Sequence, residues 1–117
     1  MNTKTYKDLI VWQKSMDLVM EVYKLTQNFP ECEKYGLSSQ LRRAAVSMPS
    51  NIAEGKMRGA PGEFRRFLLI AYASGAETET QLEISKKLRY CAIKEYEAVD
   101  SLLNEIMRIL NKLISNN

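Results

Sequence analysis

Apolar residues recur at intervals of three and four along four long segments of this 117-residue chain. That spacing places them on one face of an α-helix, because each helical turn takes 3.6 residues. Pro30, Gly36 and Gly59 fall in the short stretches between these segments, and Gly55, Pro61 and Gly62 lie at the segment ends that flank the central turn. The pattern predicts an all-α fold, an antiparallel up-down-up-down four-helix bundle, in a single domain spanning residues 1–117.

The predicted helices span residues 7–27, 37–56, 61–90 and 94–114. Pro30 ends the first helix, and Pro61 suits the first position of the third, where its missing N–H costs nothing. Pro49 lies inside the second helix and either kinks it or breaks it into two short helices. We expect the kink, because the apolar spacing continues across Pro49.

One line of apolar or small residues on each helix is expected to face the core. These lines are Leu9, Trp12, Met16, Val19, Tyr23 and Thr26; Leu41, Ala44, Ala45, Met48 and Ile52; Phe64, Leu68, Ala71, Gly75, Thr78, Leu82 and Ser85; and Tyr96, Val99, Leu103, Ile106, Leu110 and Leu113. The small residues in the middle of the third line predict a closely packed neighbouring helix.

The first and fourth helices carry a second apolar line. It consists of Val11, Leu18, Val22, Leu25 and Phe29 on the first helix and Leu102, Ile109 and Ile114 on the fourth. A second line predicts another contact surface, most simply with further copies of the chain. The alternative is one wide core-facing surface.

The net charge of +3 is unevenly distributed in the predicted bundle. Helices 1 and 3 start, and helices 2 and 4 end, at one end of the bundle, which we call the basic pole. The cations expected there are Lys4, Lys7, Lys56, Arg58, Arg65, Arg66, Arg108 and Lys112, with four acidic residues. Clustered cations attract nucleic-acid phosphates, so Lys7, Lys56, Arg58, Arg65, Arg66 and Lys112 are the candidate nucleic-acid contacts.

Four charged residues near mid-height have a structural interpretation. Arg42 and Arg43 on the second helix are expected to lie level with Glu77 and Glu79 on the third. We therefore predict ion pairs between the two helices, which would fix their register.

Enzymatic chemistry has little support in the sequence. The chain has no histidine, its two cysteines do not form a C-x-x-C pair, and the glycines of the central turn lack phosphate-loop spacing. We expect a non-enzymatic protein without metal or cofactor. The absence of a long apolar run or signal-like N-terminus predicts no membrane span and a cytoplasmic location.

Three motifs carry a family resemblance. They are Tyr6-Lys7-Asp8-Leu9-Ile10-Val11-Trp12-Gln13-Lys14; Tyr35-Gly36-Leu37 followed by residues 39–55, SQLRRAAVSMPSNIAEG; and Glu63-Phe64 and Phe67-Leu68 followed by Glu77-Thr78-Glu79-Thr80-Gln81-Leu82. In this order they cover nearly the whole chain. The sequence resembles the small four-helix-bundle proteins encoded by intervening sequences in bacterial 23S ribosomal RNA genes.

The resemblance implies assembly into rings, with pentamers expected. It also implies a relationship to the accessory protein of diversity-generating retroelements, a basic pentamer that works with a reverse transcriptase and binds nucleic acid. The leading hypothesis is a homo-oligomeric scaffold that binds RNA or a nucleoprotein partner, such as a reverse transcriptase, through the basic pole. The alternative is a protein–protein interaction module with no nucleic-acid role.

Overall fold

A computed structural model describes residues 5–117, in which four α-helices and no strand are found. The helices are α1 (Ile10–Thr26), α2 (Leu37–Met57), α3 (Pro61–Lys87) and α4 (Glu97–Ser115). Each helix packs against the next, and α4 closes back onto α1. The predicted four-helix bundle is confirmed, with extents of 43 × 24 × 21 Å.

Contacts between α1 and α4 show that these helices run antiparallel. Lys14 and Glu105 form an ion pair of 3.1 Å. Asn28, just beyond α1, donates a hydrogen bond of 3.1 Å to Glu95, just before α4. The residue number falls along one helix as it rises along the other, as the up-and-down topology requires.

The first α-helix begins later than the predicted residue 7, because a capped turn precedes it. Tyr6–Asp8 forms a single 3₁₀ turn, and the Asp8 carboxylate accepts a hydrogen bond from the Thr5 N–H. Leu9 then has extended backbone geometry, with φ −75° and ψ 126°. The residues expected to start the long helix therefore form a separate turn.

The third helix ends three residues before the predicted position. Arg89 adopts a left-handed conformation, with φ 60°, and the Tyr90 N–H donates to the Ser85 carbonyl. The left-handed residue that ends a helix is usually a glycine. Because an arginine occupies the position, the chain carries no recognisable stop signal there.

Helix α2 continues unbroken through Pro49, so the helix is not divided into two short helices. Pro49 has no N–H to donate to the preceding turn. Side chains nearby add local hydrogen bonds: Asn51 donates to the Ser47 carbonyl at 2.8 Å, and the Ser47 hydroxyl bonds Ser74 of α3 at 2.9 Å. The same serine thus links the region around Pro49 to the neighbouring helix.

The core uses the second apolar line of α1, which corrects the predicted use of this surface. Val11, Leu18, Val22, Leu25 and Phe29 are all buried, whereas Met16 and Tyr23 from the expected core line are exposed. A helix flanked by two neighbours buries the line midway between them. The expected core line lies further towards α2, and of its members Val19 and Thr26 are buried.

Helix α4 shows the same use of its extra apolar residues. Ile114 is buried, and Leu102 and Ile109 pack half-buried against the core. The second apolar lines of the first and fourth helices therefore contribute to the core of the single chain, as the alternative of a wide core-facing surface anticipated, while Met16 and Tyr23 of α1 stay exposed.

Two glycines lie in close contact with a neighbouring helix, Gly55 of α2 with α3 and Gly75 of α3 with α4. A Cβ atom placed on Gly55 would lie 2.5 Å from the Cβ of Phe67, and one placed on Gly75 would collide with the side chain of Met107. The Met107 side chain can move, but the Cβ of Phe67 is fixed to the α3 backbone. Gly55 therefore sets the distance between α2 and α3 near the turn that joins them.

We predict that Gly55→Ala destabilises the protein by about 1–3 kcal/mol, because α3 must move away from α2 to admit the methyl group. Gly62→Ala is the matched control, since no atom lies within 4 Å of a Cβ at Gly62. Urea unfolding followed by circular dichroism measures both. Equal stability of the two variants would contradict the close contact.

At the pole opposite the basic pole, a hydrogen bond joins the segment between α1 and α2 to the segment between α3 and α4. The Tyr90 hydroxyl donates to the Glu33 carboxylate at 2.6 Å, and the other oxygen of Glu33 accepts from the Leu37 N–H at the start of α2. The bond to Glu33 raises the pKa of Tyr90 to about 12. The bond from Tyr90 and that from Leu37 lower the pKa of Glu33.

We predict that Tyr90→Phe lowers the melting temperature and changes its pH dependence. The depressed Glu33 pKa stabilises the fold above the ordinary value of 4.5, and this contribution disappears as the pH falls below it. The raised Tyr90 pKa stabilises the fold below pH 10, and this contribution disappears as the pH rises towards 12.

The control variant is Tyr35→Phe at the same pole, where the side chain is 89% exposed. Thermal unfolding between pH 3 and pH 11 measures both variants. A pH profile of Tyr90→Phe that coincides with that of the wild type would contradict the proposed link between the two segments.

Candidate nucleic-acid interface

The turn between α2 and α3 brings four predicted cations together at one end of the bundle. Lys56 lies in the last turn of α2, Arg58 follows it, and Arg65 and Arg66 lie in the second turn of α3. The connection is short because Gly59 adopts φ 77°, a conformation that favours glycine, and Pro61 begins α3 directly.

Two phenylalanines support three of these cations. The guanidinium carbons of Arg58 and Arg66 lie 5.1 Å and 4.6 Å from the ring centroid of Phe67, which is buried. The Lys56 ammonium lies 5.6 Å from the ring of Phe64. Cation–π attraction holds the charged groups at the surface above fixed aromatic rings.

Two carboxylates neutralise part of this charge. Arg58 pairs with Glu54 at 2.9 Å and with Glu63 at 3.8 Å, and Arg66 pairs with Glu63 at 2.7 Å. The hydrogen bond from Arg66 lowers the pKa of Glu63, and the same bond raises the pKa of Arg66. The two arginines and the two glutamates form a cluster with no net charge.

The excess positive charge therefore belongs to the remaining cations. Lys7, Lys56, Arg65, Arg108 and Lys112 make no ion pair within residues 5–117. Arg65 and Lys112 are exposed, and Lys56 is half-buried beside Phe64. Lys4, which belonged to the predicted set, lies outside the described residues.

A depression of about 210 Å³ opens beside Lys56 at this pole. Its lining is Gly55, Lys56, Gly59, Ala60, Pro61, Phe64 and Asn117. Asn117 at the end of the chain thus lies next to the turn between α2 and α3. The end of α4 and this turn share one pole, as the predicted topology requires.

The four residues predicted to form ion pairs at mid-height do not pair in this way within residues 5–117. Arg42 turns towards α1 instead: its Nε donates to the Thr26 hydroxyl at 2.8 Å, and its guanidinium carbon lies 4.5 Å from the Tyr23 ring. The cause is its position on the side of α2 that faces α1.

The other residues of this set are exposed. Arg43 and Glu77 line one shallow depression between α2 and α3, and Glu79 is also exposed. The Glu77 carboxylate accepts a hydrogen bond of 3.4 Å from Gln81.

The aromatic supports of the cations were not predicted from the sequence. The signal was present in the run Phe64-Arg65-Arg66-Phe67, where aromatic residues three apart flank two arginines. Residues three apart lie on neighbouring parts of a helix surface. The run therefore brings both rings and Arg66 to one end of α3, where Lys56 and Arg58 reach the rings from the end of α2.

Residues 5–117 show neither a metal-binding cluster nor a membrane-spanning helix. No group of three or more cysteine, aspartate or glutamate side chains in this range is arranged to hold a metal ion. None of the helices described is long and apolar enough to cross a membrane.

Comparison with known proteins identifies the family. The sequence profile described as 23S rRNA-intervening sequence protein matches residues 7–112. The chain belongs to this family. Among curated proteins, no sequence matches the chain.

A solved structure has the same fold. It is the crystal structure of a protein of unknown function from the S23 ribosomal protein family of Bacteroides thetaiotaomicron VPI-5482. The identity is 28%, the TM-score is 0.80, and the match covers 90% of this chain and 98% of the other. Neither the family description nor that of the solved structure names an enzymatic activity.

Proposed function

We propose that this intervening-sequence protein is a non-enzymatic, ring-forming scaffold of the cytoplasm that binds RNA through its basic pole. The observation that carries the proposal is the aromatic-backed cation group at the turn between α2 and α3. Lys56 and Arg65 provide charge without an internal ion pair, and Phe64 provides a ring beside an open depression. These are the two components from which proteins build sequence-tolerant RNA contacts.

Phosphates and bases have separate contacts in this arrangement. Lys56 and Arg65 attract the phosphate backbone, because each phosphate neutralised releases a condensed counterion. The half-buried Phe64 ring offers a stacking surface for an unpaired base at the depression. An RNA hairpin, with both duplex phosphates and unpaired loop bases, supplies both partners.

A ring would increase the affinity of this pole. One protomer has a modest net charge of +3, whereas a ring presents several basic poles to one RNA. Binding at a second pole is then intramolecular and gains from effective concentration. The family resemblance implies pentamers, and a nucleoprotein containing such an RNA, such as a reverse transcriptase complex, is the corresponding larger partner.

We predict that reversing Lys56, Arg58, Arg65 and Arg66 to glutamate abolishes binding of a fluorescent RNA hairpin. A milder variant, Lys56→Gln with Arg65→Gln, breaks no ion pair of the described residues. It should weaken binding and reduce the slope of log affinity against log salt by about one for each phosphate that is no longer neutralised. Fluorescence anisotropy across a salt series measures both variants.

The matched control neutralises two exposed cations of the opposite pole, Lys34→Gln with Lys87→Gln. It changes the net charge equally and should leave the affinity close to that of the wild type. Glu63→Gln should strengthen binding, because Arg58 and Arg66 lose a competing carboxylate. Equal weakening in both double neutralisations would mean that only the overall charge matters and would contradict the basic pole as the site.

A further inference from the structure

Helix α3 is apolar on two opposite faces. One face packs in the core through residues such as Leu68, Ala71 and Leu82. The opposite face, which we call the outer α3 face, consists mainly of Leu69, Ile70, Ala73, Ala76, Thr80, Ile84 and Leu88, all exposed, with Glu77 and Lys87 among them. A helix that is apolar on both faces normally has both covered. The single chain covers only one.

The outer α3 face is long and has a shallow middle. From Leu69 to Leu88 it extends about 28 Å at 1.5 Å per residue, along a bundle 43 Å long. The larger apolar side chains lie towards its ends, and Ala73 and Ala76 lie in its middle. Projecting side chains of another surface can fit over these alanines.

A second exposed apolar surface lies along α1 and α2. We call it the α1–α2 face; it consists of Met16, Met20, Tyr23 and Val46, with Arg42 between the two helices. Met20 is 61% exposed. Methionine side chains are long and flexible, and they fit into shallow apolar surfaces of irregular shape.

The two faces also carry complementary charges that are not paired in the chain. Arg42 lies against Tyr23 and makes no ion pair with a carboxylate among the described residues, and Glu77 beside the outer α3 face makes none with a cation there. An arginine held on an aromatic ring keeps further N–H donors for a planar carboxylate. The sequence suggested that Arg42 and Glu77 belong to one pairing, and the fold separates them within one chain.

We propose that the outer α3 face of one protomer packs against the α1–α2 face of the next, with Met20 and Tyr23 over Ala73 and Ala76. Arg42 then meets Glu77 of the neighbouring copy. The partner is a second copy of this chain because the apolar shapes and the unpaired charges of its two faces complement each other. The proposal rests on the ring assembly proposed above and assigns the surfaces that form it.

The use of two different surfaces has a geometric consequence. A contact between unlike surfaces is heterologous, so each copy still has one free face of each kind after the first contact. Such contacts continue until a ring closes. A contact between two identical faces would stop at a dimer.

The first experiment compares molar masses by light scattering. We expect the wild type to be an oligomer and Ile84→Glu to be a monomer of 13.4 kDa with an unchanged circular dichroism spectrum. Ala76→Arg, in the middle of the face, should give the same dissociation by a bulkier substitution at an exposed position. The control is Ile93→Glu, which is 72% exposed and lies outside both faces; it should keep the wild-type mass.

The second experiment tests the pairing of unlike faces by mixing. Ile84→Glu and Met20→Glu should each be monomeric on its own, because the first lacks a functional outer α3 face and the second lacks a functional α1–α2 face. Their equimolar mixture should give a heterodimer of twice the protomer mass, since one intact pair of faces remains. A dimer of Met20→Glu alone would indicate pairing of identical faces and would overturn the proposal.

The remaining outcomes separate this inference from the RNA-binding proposal. If Ile84→Glu and Ala76→Arg keep the wild-type mass, the assignment of the interface is overturned, while RNA binding at the basic pole is untouched. If the wild type is monomeric at micromolar concentration, both the ring and this interface are overturned. The outer α3 face would then be a binding surface for a different protein. If Ile84→Glu is monomeric and binds RNA more weakly than the wild type, the result supports both proposals.

Discussion

The contact between Gly55 and Phe67 determines how the basic end of the bundle is built. Because Gly55 has no side chain, the Cβ of Phe67 can approach the α2 backbone where α2 leads into the turn to α3. Phe67 is consequently buried with its ring beneath Arg58 and Arg66. The packing distance between two helices thereby fixes the position of surface cations, and local close packing is coupled to the proposed function.

Periodicity predicted the helices and most of the core, because burial of a helix face follows directly from the spacing of its apolar residues. The predicted lines on α2, α3 and α4 match the buried residues well. The predicted up-and-down topology was sufficient to place the cations of the basic pole at one end of the bundle. The line on α1 was only partly right, with Val19 and Thr26 buried but Met16 and Tyr23 exposed, because two apolar lines lie side by side there. The sequence does not specify how far the helix rotates towards α2 or α4, and Val11 and Leu18 replaced Met16 and Tyr23 in the core.

The directions of long side chains were beyond sequence reasoning. Arg42 lies at the predicted height, but its position around the helix axis directs it to Tyr23 and Thr26. The ion pairs of Arg58 and Arg66 within the basic pole have the three- and four-residue spacings that a sequence does reveal. Their effect on the site was missed because a count of charges treats each cation as equally available. The exposed apolar face of α3 was missed because only one line was expected on that helix.

RNA recognition by the basic pole is tested most directly by photo-cross-linking the wild-type protein to an RNA hairpin containing 4-thiouridine in its loop, with cross-linked peptides mapped by mass spectrometry. We expect cross-links concentrated in residues 56–66, around Phe64 and the depression beside it. Cross-links concentrated in residues 88–95 at the opposite pole, or their absence at low salt, would contradict RNA recognition by the basic pole.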